Sequence, residues 1–347
     1  MQDMEKSETG NTKRTVPILY LVVPCYKEEE MVEKSAQVLG DKMRRLEQAG
    51  QIAAGSKVMF VNDGSKDDTL RLLHRIAAQD AMFSVVSLAG NYGHQSAILA
   101  GMMTARQYAD VVVTIDADLQ QDIEALDKFL AAYMAGCEVV YGVRNDRHSD
   151  GTFKKSTATL YYKLMHLLGS KVIANHADYR LMSKKALDAL SEYKETNLFL
   201  RGLIPTMGFA SDVVYFDVKK REAGHSKYTL GKMMTLALDG ITSMSVRPLR
   251  LIAAMGFVLS LFSVVMAVIS LVDWINGNNV PGYTTSLLVS LIMGGITLLS
   301  LGIIGEYIGK IYMETKKRPR YIIDTFVWKP ESSEETDASV QTEEENA

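Results

Sequence analysis

Short apolar runs alternate with longer segments of helical periodicity over the first two thirds of the chain. Residues 18–23, 57–61, 84–88, 111–115 and 139–143 are mostly apolar and rich in β-branched side chains. Continuous runs of this kind are typical of strands that are buried on both faces of a sheet. Their alternation with helices predicts right-handed βαβ crossovers and an α/β fold with a mainly parallel sheet.

Two later runs are apolar over a much greater length. Residues 251–272 and 287–305 carry no charged side chain, and each is long enough to cross a hydrocarbon core of about 30 Å. A buried core helix is the alternative for either run, but two in tandem favour a two-helix transmembrane hairpin. The link between them lacks Lys and Arg, whereas both flanks are basic, so the positive-inside rule predicts that both flanks are cytoplasmic.

Two further segments have the apolar spacing of amphipathic helices. Residues 157–168 and 232–246 place Leu, Met and Tyr side chains along one side of a helix. One interpretation is core packing, and the other is a pair of interfacial helices that lie on the inner leaflet. The predicted organisation is a disordered N-terminus (1–15), a cytosolic α/β domain (16–230), a juxtamembrane helix (231–250), the hairpin (251–306), and a basic segment with an acidic disordered tail (307–347).

Composition narrows the classes of function. The formal net charge is only −3, which gives no overall argument for binding nucleic acid. Two cysteines are too few for a disulfide framework, so we expect a reducing compartment. The first fifteen residues contain no apolar core of a signal peptide, and the six histidines have no metal-ligand spacing.

Polar side chains follow several of the predicted strands. Asp116 and Asp118 come directly after 111–115, and Asp63 follows 57–61 shortly after that run ends. Ligands of open α/β sheets bind at the carboxyl ends of the strands, and side chains two apart on an extended segment point the same way. Both carboxylates could therefore reach one hard cation, although an Asp-rich turn is the alternative. Neither a Gly-x-Gly-x-x-Gly fingerprint after the first strand nor a P-loop lysine is present, which disfavours dinucleotide and P-loop folds.

Several motifs in order resemble one family. Residues 23–28 (Val-Pro-Cys-Tyr-Lys-Glu) and 61–65 (Val-Asn-Asp-Gly-Ser) resemble the first two motifs of family-2 glycosyltransferases of the GT-A fold. Residues 116–120 (Asp-Ala-Asp-Leu-Gln) are similar to the metal-binding motif of that family. Together with 177–182 and 221–228, they resemble the polyprenyl-phosphate branch, which includes dolichyl-phosphate mannose synthases and bacterial undecaprenyl-phosphate glucosyltransferases.

The resemblance implies roles for individual residues. Asp116, Asp118 and Gln120 would bind Mg²⁺ or Mn²⁺, and Asp178 and Arg221 would be the catalytic residues. Asp178 would lie at the sugar, either as a base or to orient a hydroxyl group. The donor would be held by Pro24, Tyr26, Glu28, Asp63, Asp116, Ala117, Asp118, Arg144, Lys155 and Lys227. The chain departs from the family pattern at Lys27, at residues 121–123 and at His225.

The function that the resemblance implies is inverting transfer of a hexose to undecaprenyl phosphate at the cytoplasmic membrane face, for glycosylation of the cell envelope. The preferred donor is a UDP-sugar that carries glucose. GDP-mannose and UDP-N-acetylglucosamine are left open as alternative donors. The expected partners are this donor, the lipid acceptor, the bilayer and further copies of the chain, with a tetramer as one option. A processive polysaccharide synthase is disfavoured because neither tryptophan fits the Gln-x-x-Arg-Trp motif of that group. A non-catalytic membrane scaffold is the alternative from another class.

Overall fold

The computed structural model describes residues 14–145, 176–195, 199–218, 247–276 and 282–328. Within these ranges the chain forms one sheet with helices on both faces and a pair of long helices near its end. The strands are β1 (Leu19–Cys25), β2 (Lys57–Asn62), β3 (Phe83–Leu88), β4 (Val111–Thr114), β5 (Val139–Arg144), β6 (His176–Ser183), β7 (Ser211–Phe216) and β8 (Ile323–Val327). The helices are α1 (Val32–Gln48), α2 (Thr69–Gln79), α3 (His94–Ala105), α4 (Ala125–Met134), α5 (Lys184–Ser191), α6 (Leu200–Thr206), α7 (Arg247–Ile275) and α8 (Tyr283–Thr315).

The strand order across the sheet is β7-β5-β6-β4-β1-β2-β3-β8. The strands β4, β1, β2 and β3 pair in parallel, as do β5 and β7. However, β6 is antiparallel to both β4 and β5, and β8 is antiparallel to β3. The α/β prediction is therefore confirmed, and four of the seven pairings among the described strands are parallel as expected. The sheet is nevertheless mixed, because β6 and β8 run in the opposite direction.

The reason for this difference lies in how β6 and β8 are reached along the chain. Each of the first four predicted strands is followed by a helix, which returns the chain to the same end of the sheet. Strand β6 follows residues 145–175 and β8 follows the two long helices, and at both points the chain enters the sheet from its opposite end. Strand β6 also lacks the continuous apolar run by which the first five strands were predicted. Its residues alternate between polar (His176, Asp178, Arg180) and apolar (Ala177, Tyr179, Leu181).

Two apolar layers enclose the sheet. One layer packs α1, α2 and α4 against it, and the other packs α3, α5 and α6. Helix α3 lies especially close to the strands at Gly101, where an added Cβ would stand 2.7 Å from Val61 Cγ2. Only glycine allows this approach, which brings the N-terminal end of α3 to the carboxyl ends of β1 and β4.

The long helices exceed the predicted spans. With 29 and 33 residues, α7 and α8 measure about 43 and 50 Å at 1.5 Å per residue. By length and composition, one stretch of the described helices could cross a membrane, Ile292–Thr315, while the apolar stretch Ile252–Met266 is shorter. Large apolar side chains on both helices are exposed, for example Phe257 and Leu298 at 72% each. Such surfaces need apolar surroundings, and the second crossing, over 251–272, stays a prediction.

The chain returns to the sheet after α8, which corrects the expectation of only a basic segment and a tail over 307–347. Strand β8 pairs with β3, and Trp328 Nε1 donates to the Tyr20 hydroxyl at 3.1 Å. The Trp328 ring also stacks on Tyr108 with 5.1 Å between centroids.

Most of the predicted disordered N-terminus (1–15), the predicted disordered tail from residue 331, and the predicted interfacial helices at 157–168 and 232–246 lie outside the described residues. Within the predicted disordered N-terminus, Arg14 is described, and its Nη1 donates to the Tyr133 and Cys137 carbonyls at 2.6 and 2.8 Å.

We predict that Trp328→Ala destabilises the sheet domain, because it removes the stacking on Tyr108 and the hydrogen bond to Tyr20. The expected loss is about 2 kcal/mol, below the range for a fully buried tryptophan since Trp328 is partly exposed. Thermal unfolding of the detergent-solubilised chain measures it. Trp328→Phe keeps the stacking and should lose about 1 kcal/mol. An unchanged unfolding temperature in Trp328→Ala would show that β8 does not contribute to the fold.

Candidate active site

The carboxyl ends of β1, β2 and β4 meet at one edge of the sheet. The register places Cys25 beside Asn62, and Val22 beside Thr114. Because β6 is antiparallel, it is the start of β6 that lies at this edge, with Arg180 beside Thr114. This arrangement brings the polar residues after β1, β2 and β4 together with those at the beginning of β6.

Asp63 lies buried beneath the loop that joins β3 to α3. Its two carboxylate oxygens accept the backbone N–H groups of Tyr92 at 2.7 Å and Gly93 at 2.9 Å. Burial raises the pKa of Asp63, and these two hydrogen bonds act against that rise. Gly64 follows with φ of +63°, and an added Cβ would stand 2.7 Å from Asn91 N. Asp63, predicted to hold the nucleotide, thus also positions the loop that leads into α3.

The segment after β1 is held by hydroxyl groups from the β2–α2 loop. The backbone N–H of Lys27 donates to Ser65 Oγ at 3.1 Å, and that of Glu28 donates to Thr69 Oγ1 at 3.0 Å. Lys27 has a φ of 56°, a left-handed conformation that favours Asn over Lys. Tyr26 next to it is 40% exposed at the site edge, where a planar group could stack on its ring.

The Asp-x-Asp segment is held by Gln121. From the sequence, we noted this residue only as part of a departure from the family pattern and gave it no role. Gln121 Nε2 donates to Asp116 Oδ2 at 2.7 Å, and Gln121 Oε1 accepts the Asp116 N–H at 3.0 Å. Asp116 Oδ1 is buried and has no hydrogen-bond partner among the described residues. Burial raises the pKa of Asp116, and the carboxylates of Asp178 and Asp118 raise it further. One carboxylate oxygen is therefore oriented and left for a cation.

Asp178 lies beside this carboxylate and is held by two arginines. Its Oδ1 accepts from Arg180 Nη2, and its Oδ2 accepts from Arg201 Nη2 at 2.6 Å. His94 Nε2 stands 3.6 Å from both Asp178 Oδ2 and Asp116 Oδ1. Burial alone would raise the pKa of Asp178, but His94, Arg201 and Arg180 together lower it well below its usual value. The carboxylate thus stays ionised although it is only 3% exposed.

The same carboxylates shift the pKa of His94. Burial alone would lower the pKa of His94, but Asp178 and Asp116 outweigh it and raise the pKa. Arg180 is fully buried on β6, and its Nε and Nη1 have no hydrogen-bond partner within the described ranges. The site is therefore a compact set of alternating charges drawn from β4, β6, α3 and α6.

Sequence reasoning missed three contributors to this set: His94, Gln121 and Arg201. His94 begins α3, directly after the loop that Asp63 holds. Arg201 is carried by α6, whose first residue, Leu200, donates its N–H to Gln95 Oε1 at 2.9 Å. The contacts of His94 and Arg201 join segments that lie far apart along the chain, and no local signal marks them. Gln121 lies only five residues after Asp116, and this polar residue after the Asp-x-Asp motif was the one available sign.

The other predicted site residues lie either at the same edge of the sheet or outside the described residues. Arg144 ends β5 and is exposed at the same edge of the sheet. Gln120 is half-buried, and its N–H donates to Asp118 Oδ1 at 3.1 Å, which closes the turn after Asp118. Pro24 lies within β1 and Ala117 is buried. Lys155, Arg221, His225 and Lys227 lie outside the described residues.

The donor set fits a hard divalent cation. Asp116 Oδ1 is the buried oxygen without a partner, and Asp118 follows two residues later. Among the described residues no three His, Cys, Asp or Glu side chains form a closed metal cage. Mg²⁺ is typically held by one or two carboxylates together with substrate phosphates. Asp116, Asp118 and Gln120 would accordingly hold Mg²⁺ or Mn²⁺ with part of the coordination left for a ligand.

Two family models match this chain. The family model described as Glycosyl transferase family 2 matches residues 20–191, and the model described as GtrB C-terminal hairpin matches residues 247–311. The chain is 44% identical to the uncharacterized glycosyltransferase YkoT of Bacillus subtilis, over 90% of this chain and 93% of that protein. It is 36% identical to the bactoprenol glucosyl transferase of Shigella phage SfX, over 87% of this chain and 97% of that protein.

Among solved structures, the chain is similar to glucosyl-3-phosphoglycerate synthase from Mycobacterium tuberculosis in complex with UDP. The identity is 18%, the TM-score is 0.44, and the match covers 66% of this chain and 79% of that one.

We predict that Asp63→Asn destabilises the protein by about 1–3 kcal/mol, because one of the two buried N–H groups loses its acceptor. The same variant should bind a nucleotide sugar more weakly, since the loop before α3 loses its support. Thermal unfolding and donor titration measure the two effects.

Asp41→Asn is the matched control, because Asp41 is an exposed residue of α1 whose ion pair with Arg44 is solvated. Equal stability of Asp63→Asn and Asp41→Asn would contradict the positioning role of Asp63.

Proposed function

This chain belongs to the family-2 glycosyltransferases, and from that premise we propose that it transfers glucose from a UDP-sugar to undecaprenyl phosphate. Two observations support the acceptor: the match to the hairpin model over 247–311, and relatives named bactoprenol glucosyl transferase along almost their whole length. The observation that carries the proposal is a combination of two features in one chain. Gln121 orients the Asp116 carboxylate, and the same chain has two long apolar helices. A donor site and a membrane anchor together suit a sugar acceptor that is itself a lipid.

In the proposed reaction the nucleophile is a phosphate oxygen of the lipid. Its electron pair forms the new bond to the anomeric carbon, while the bond from that carbon to the donor diphosphate breaks and its electrons leave with UDP. A divalent cation, when bound, neutralises charge that develops on the leaving diphosphate. Arg144 at the site edge can add to this with bidentate hydrogen bonds. Lys155 and Arg221, outside the described residues, are proposed for the same task.

Asp178 acts in this proposal by orienting the sugar. The sequence alone left two roles open, a base or a hydroxyl-orienting group. The lowered pKa of Asp178 makes it a weak proton acceptor, and each of its oxygens already accepts from an arginine. A lipid monophosphate is anionic before it reacts, so the reaction has little need of a general base. A carboxylate held on both sides by arginines is suited to accept a hydrogen bond from a sugar hydroxyl.

The proposed membrane arrangement is a hairpin of two crossings. Strand β8 follows α8 after only seven residues and pairs with β3 of the site-bearing sheet. The end of α8 therefore lies on the side of the membrane that holds the site. The chain leaves the sheet domain before α7 and returns to it after α8. It must therefore cross the membrane an even number of times in between, which supports α7 as the second span. The cytoplasmic location of the sheet domain rests on the basic flanks, and assembly into an oligomer stays a prediction.

We predict that membranes carrying this chain transfer label from UDP-glucose to undecaprenyl phosphate in the presence of Mg²⁺ or Mn²⁺. A panel that also contains GDP-mannose and UDP-N-acetylglucosamine identifies the donor from the label recovered in the organic phase. Asp118→Ala and chelation of the metal should each abolish transfer, because the diphosphate would lose its cation. Asp41→Asn should transfer like the wild type. Lipid labelling that persists in Asp118→Ala would contradict the assigned metal site.

The panel also tests the scaffold alternative. A chain that binds a donor but labels no lipid with any member of the panel would favour a non-catalytic membrane scaffold over the transferase.

The stereochemistry gives a separate prediction. A single in-line displacement inverts the anomeric carbon, so an α-linked donor should give a β-linked lipid phosphosugar. The anomeric coupling constants in the proton NMR spectrum of the purified product report its configuration. A product with retained configuration would indicate a covalent intermediate and would overturn the displacement proposed here.

A further inference from the structure

An open cavity with a partly polar lining lies away from the candidate active site. It has a volume of about 350 Å³ and is bordered by the end of α3, the end of α5 and the segment between α8 and β8. Arg106, Lys194 and Arg320 contribute to its lining, one from each of these three parts of the chain. Three cations that converge from separate elements on one cavity are suited to an anionic ligand.

The contacts of these cations leave hydrogen-bond donors for such a ligand. Arg320 Nη1 donates to the Tyr193 carbonyl at 2.9 Å, and Arg106 Nη1 stands 3.5 Å from Asp188 Oδ1. An arginine has five N–H donors, so one contact leaves several unused. Lys194 has no ion pair with any residue that the structure describes. Burial raises the pKa of Tyr321 in the cavity wall, and Arg320 and Arg106 both act against that rise, so both charges are near its phenol.

Carboxylates also lie near the cavity. Asp188, Glu192, Glu195, Glu314 and Asp324 lie on or beside the segments that form it. None of these carboxylates lines the cavity, whereas three of the lining side chains are cations. The lining itself is therefore cationic, which favours a phosphate over a neutral ligand.

The cavity lies next to the end of α8 and at the opposite end of α3 from the candidate active site. Glu314, in the last turn of α8, interacts with Glu195, which directly follows Lys194. The cavity therefore adjoins the point where α8 ends its long apolar stretch, Ile292–Thr315. Arg106 follows His94 by the length of α3, about 18 Å at 1.5 Å per residue. A ligand in this cavity would lie at the membrane surface, far from the reacting sugar.

We propose that this cavity binds the phosphate headgroup of an anionic phospholipid from the surrounding leaflet. Arginine and lysine are the side chains that recognise phosphate, and basic groups next to a membrane helix attract anionic lipids. The volume lies within the range of small-molecule sites. A bound headgroup would join α8 to α3 and α5, and so hold the membrane helices against the sheet domain. This inference concerns neither the donor nor the acceptor, so it stands apart from the proposed transferase reaction.

The test uses the full chain in nanodiscs of phosphatidylcholine with phosphatidylglycerol as the minority lipid. Native mass spectrometry after release counts the lipids that each chain retains. We expect the wild type to retain phosphatidylglycerol in preference to phosphatidylcholine. Lys194→Gln should reduce that retention about fivefold, which corresponds to about 1 kcal/mol for one cation near the surface. The matched control is Lys128→Gln, because Lys128 is exposed on α4, across the sheet from the cavity.

A second variant and a second ligand complete the test. Arg320→Gln should reduce retention as well, but it also removes a hydrogen bond to the end of α5, so Lys194→Gln is the cleaner probe. Equal retention in Lys194→Gln and Lys128→Gln, or equal retention of the two lipids by the wild type, would overturn the proposal. Displacement of the lipid by inorganic phosphate at low millimolar concentration would also overturn it, because the cavity would then bind the free anion. Lipid labelling from the donor, measured on the same samples, reports the transferase reaction independently.

Discussion

Two carboxylates, Asp116 and Asp178, lie on either side of one histidine in a largely buried part of the protein, and their mutual repulsion has to be compensated. His94 stands 3.6 Å from each, and Arg180 and Arg201 hold the two oxygens of Asp178. In a medium of low dielectric constant, an unpaired buried charge costs several kcal/mol. The compensating cations come from α3, β6 and α6, so these elements have to meet at the site. The packing of α3 on the sheet at Gly101 and the antiparallel entry of β6 both serve this arrangement.

A shell of hydrogen bonds from a side-chain amide and from backbone N–H groups holds these charges in place. Gln121 uses both ends of its amide to orient Asp116, and Asp63 uses both carboxylate oxygens to hold the loop that leads to His94. A binding site that has to neutralise a diphosphate benefits from such preorganisation, because the oriented groups need little rearrangement when the charge arrives. The glutamine at position 121 also adds no further negative charge beside Asp116. The departure from the family pattern at this position is therefore compatible with the cation site that we propose at Asp116 and Asp118.

The end of the chain couples the long apolar helices to the sheet. Strand β8 extends the sheet beside β3, and Trp328 packs on Tyr108 and donates to Tyr20. The sheet domain is therefore connected to α7 and α8 both through the chain before α7 and through the chain after α8. In the proposed membrane arrangement, these two connections restrict how the domain can rotate above the bilayer. Such a restriction would keep the site at a defined height, which suits an enzyme whose acceptor phosphate is confined to the membrane surface.

The sequence by itself determined the elements whose signals are local. The apolar runs located the first five strands to within two residues at each end, and the Asp116 and Asp118 pair marked the candidate site, because a buried strand and the polar turn after it leave contiguous patterns. The two long apolar segments similarly located α7 and α8. Only the tertiary structure decided that β6 and β8 run antiparallel, and that His94, Gln121 and Arg201 complete the site. These contacts join residues that lie 5 to 105 positions apart. They depend on which strand lies beside which, and strand order is set by the packing of the whole domain, which leaves no periodic trace in any one segment.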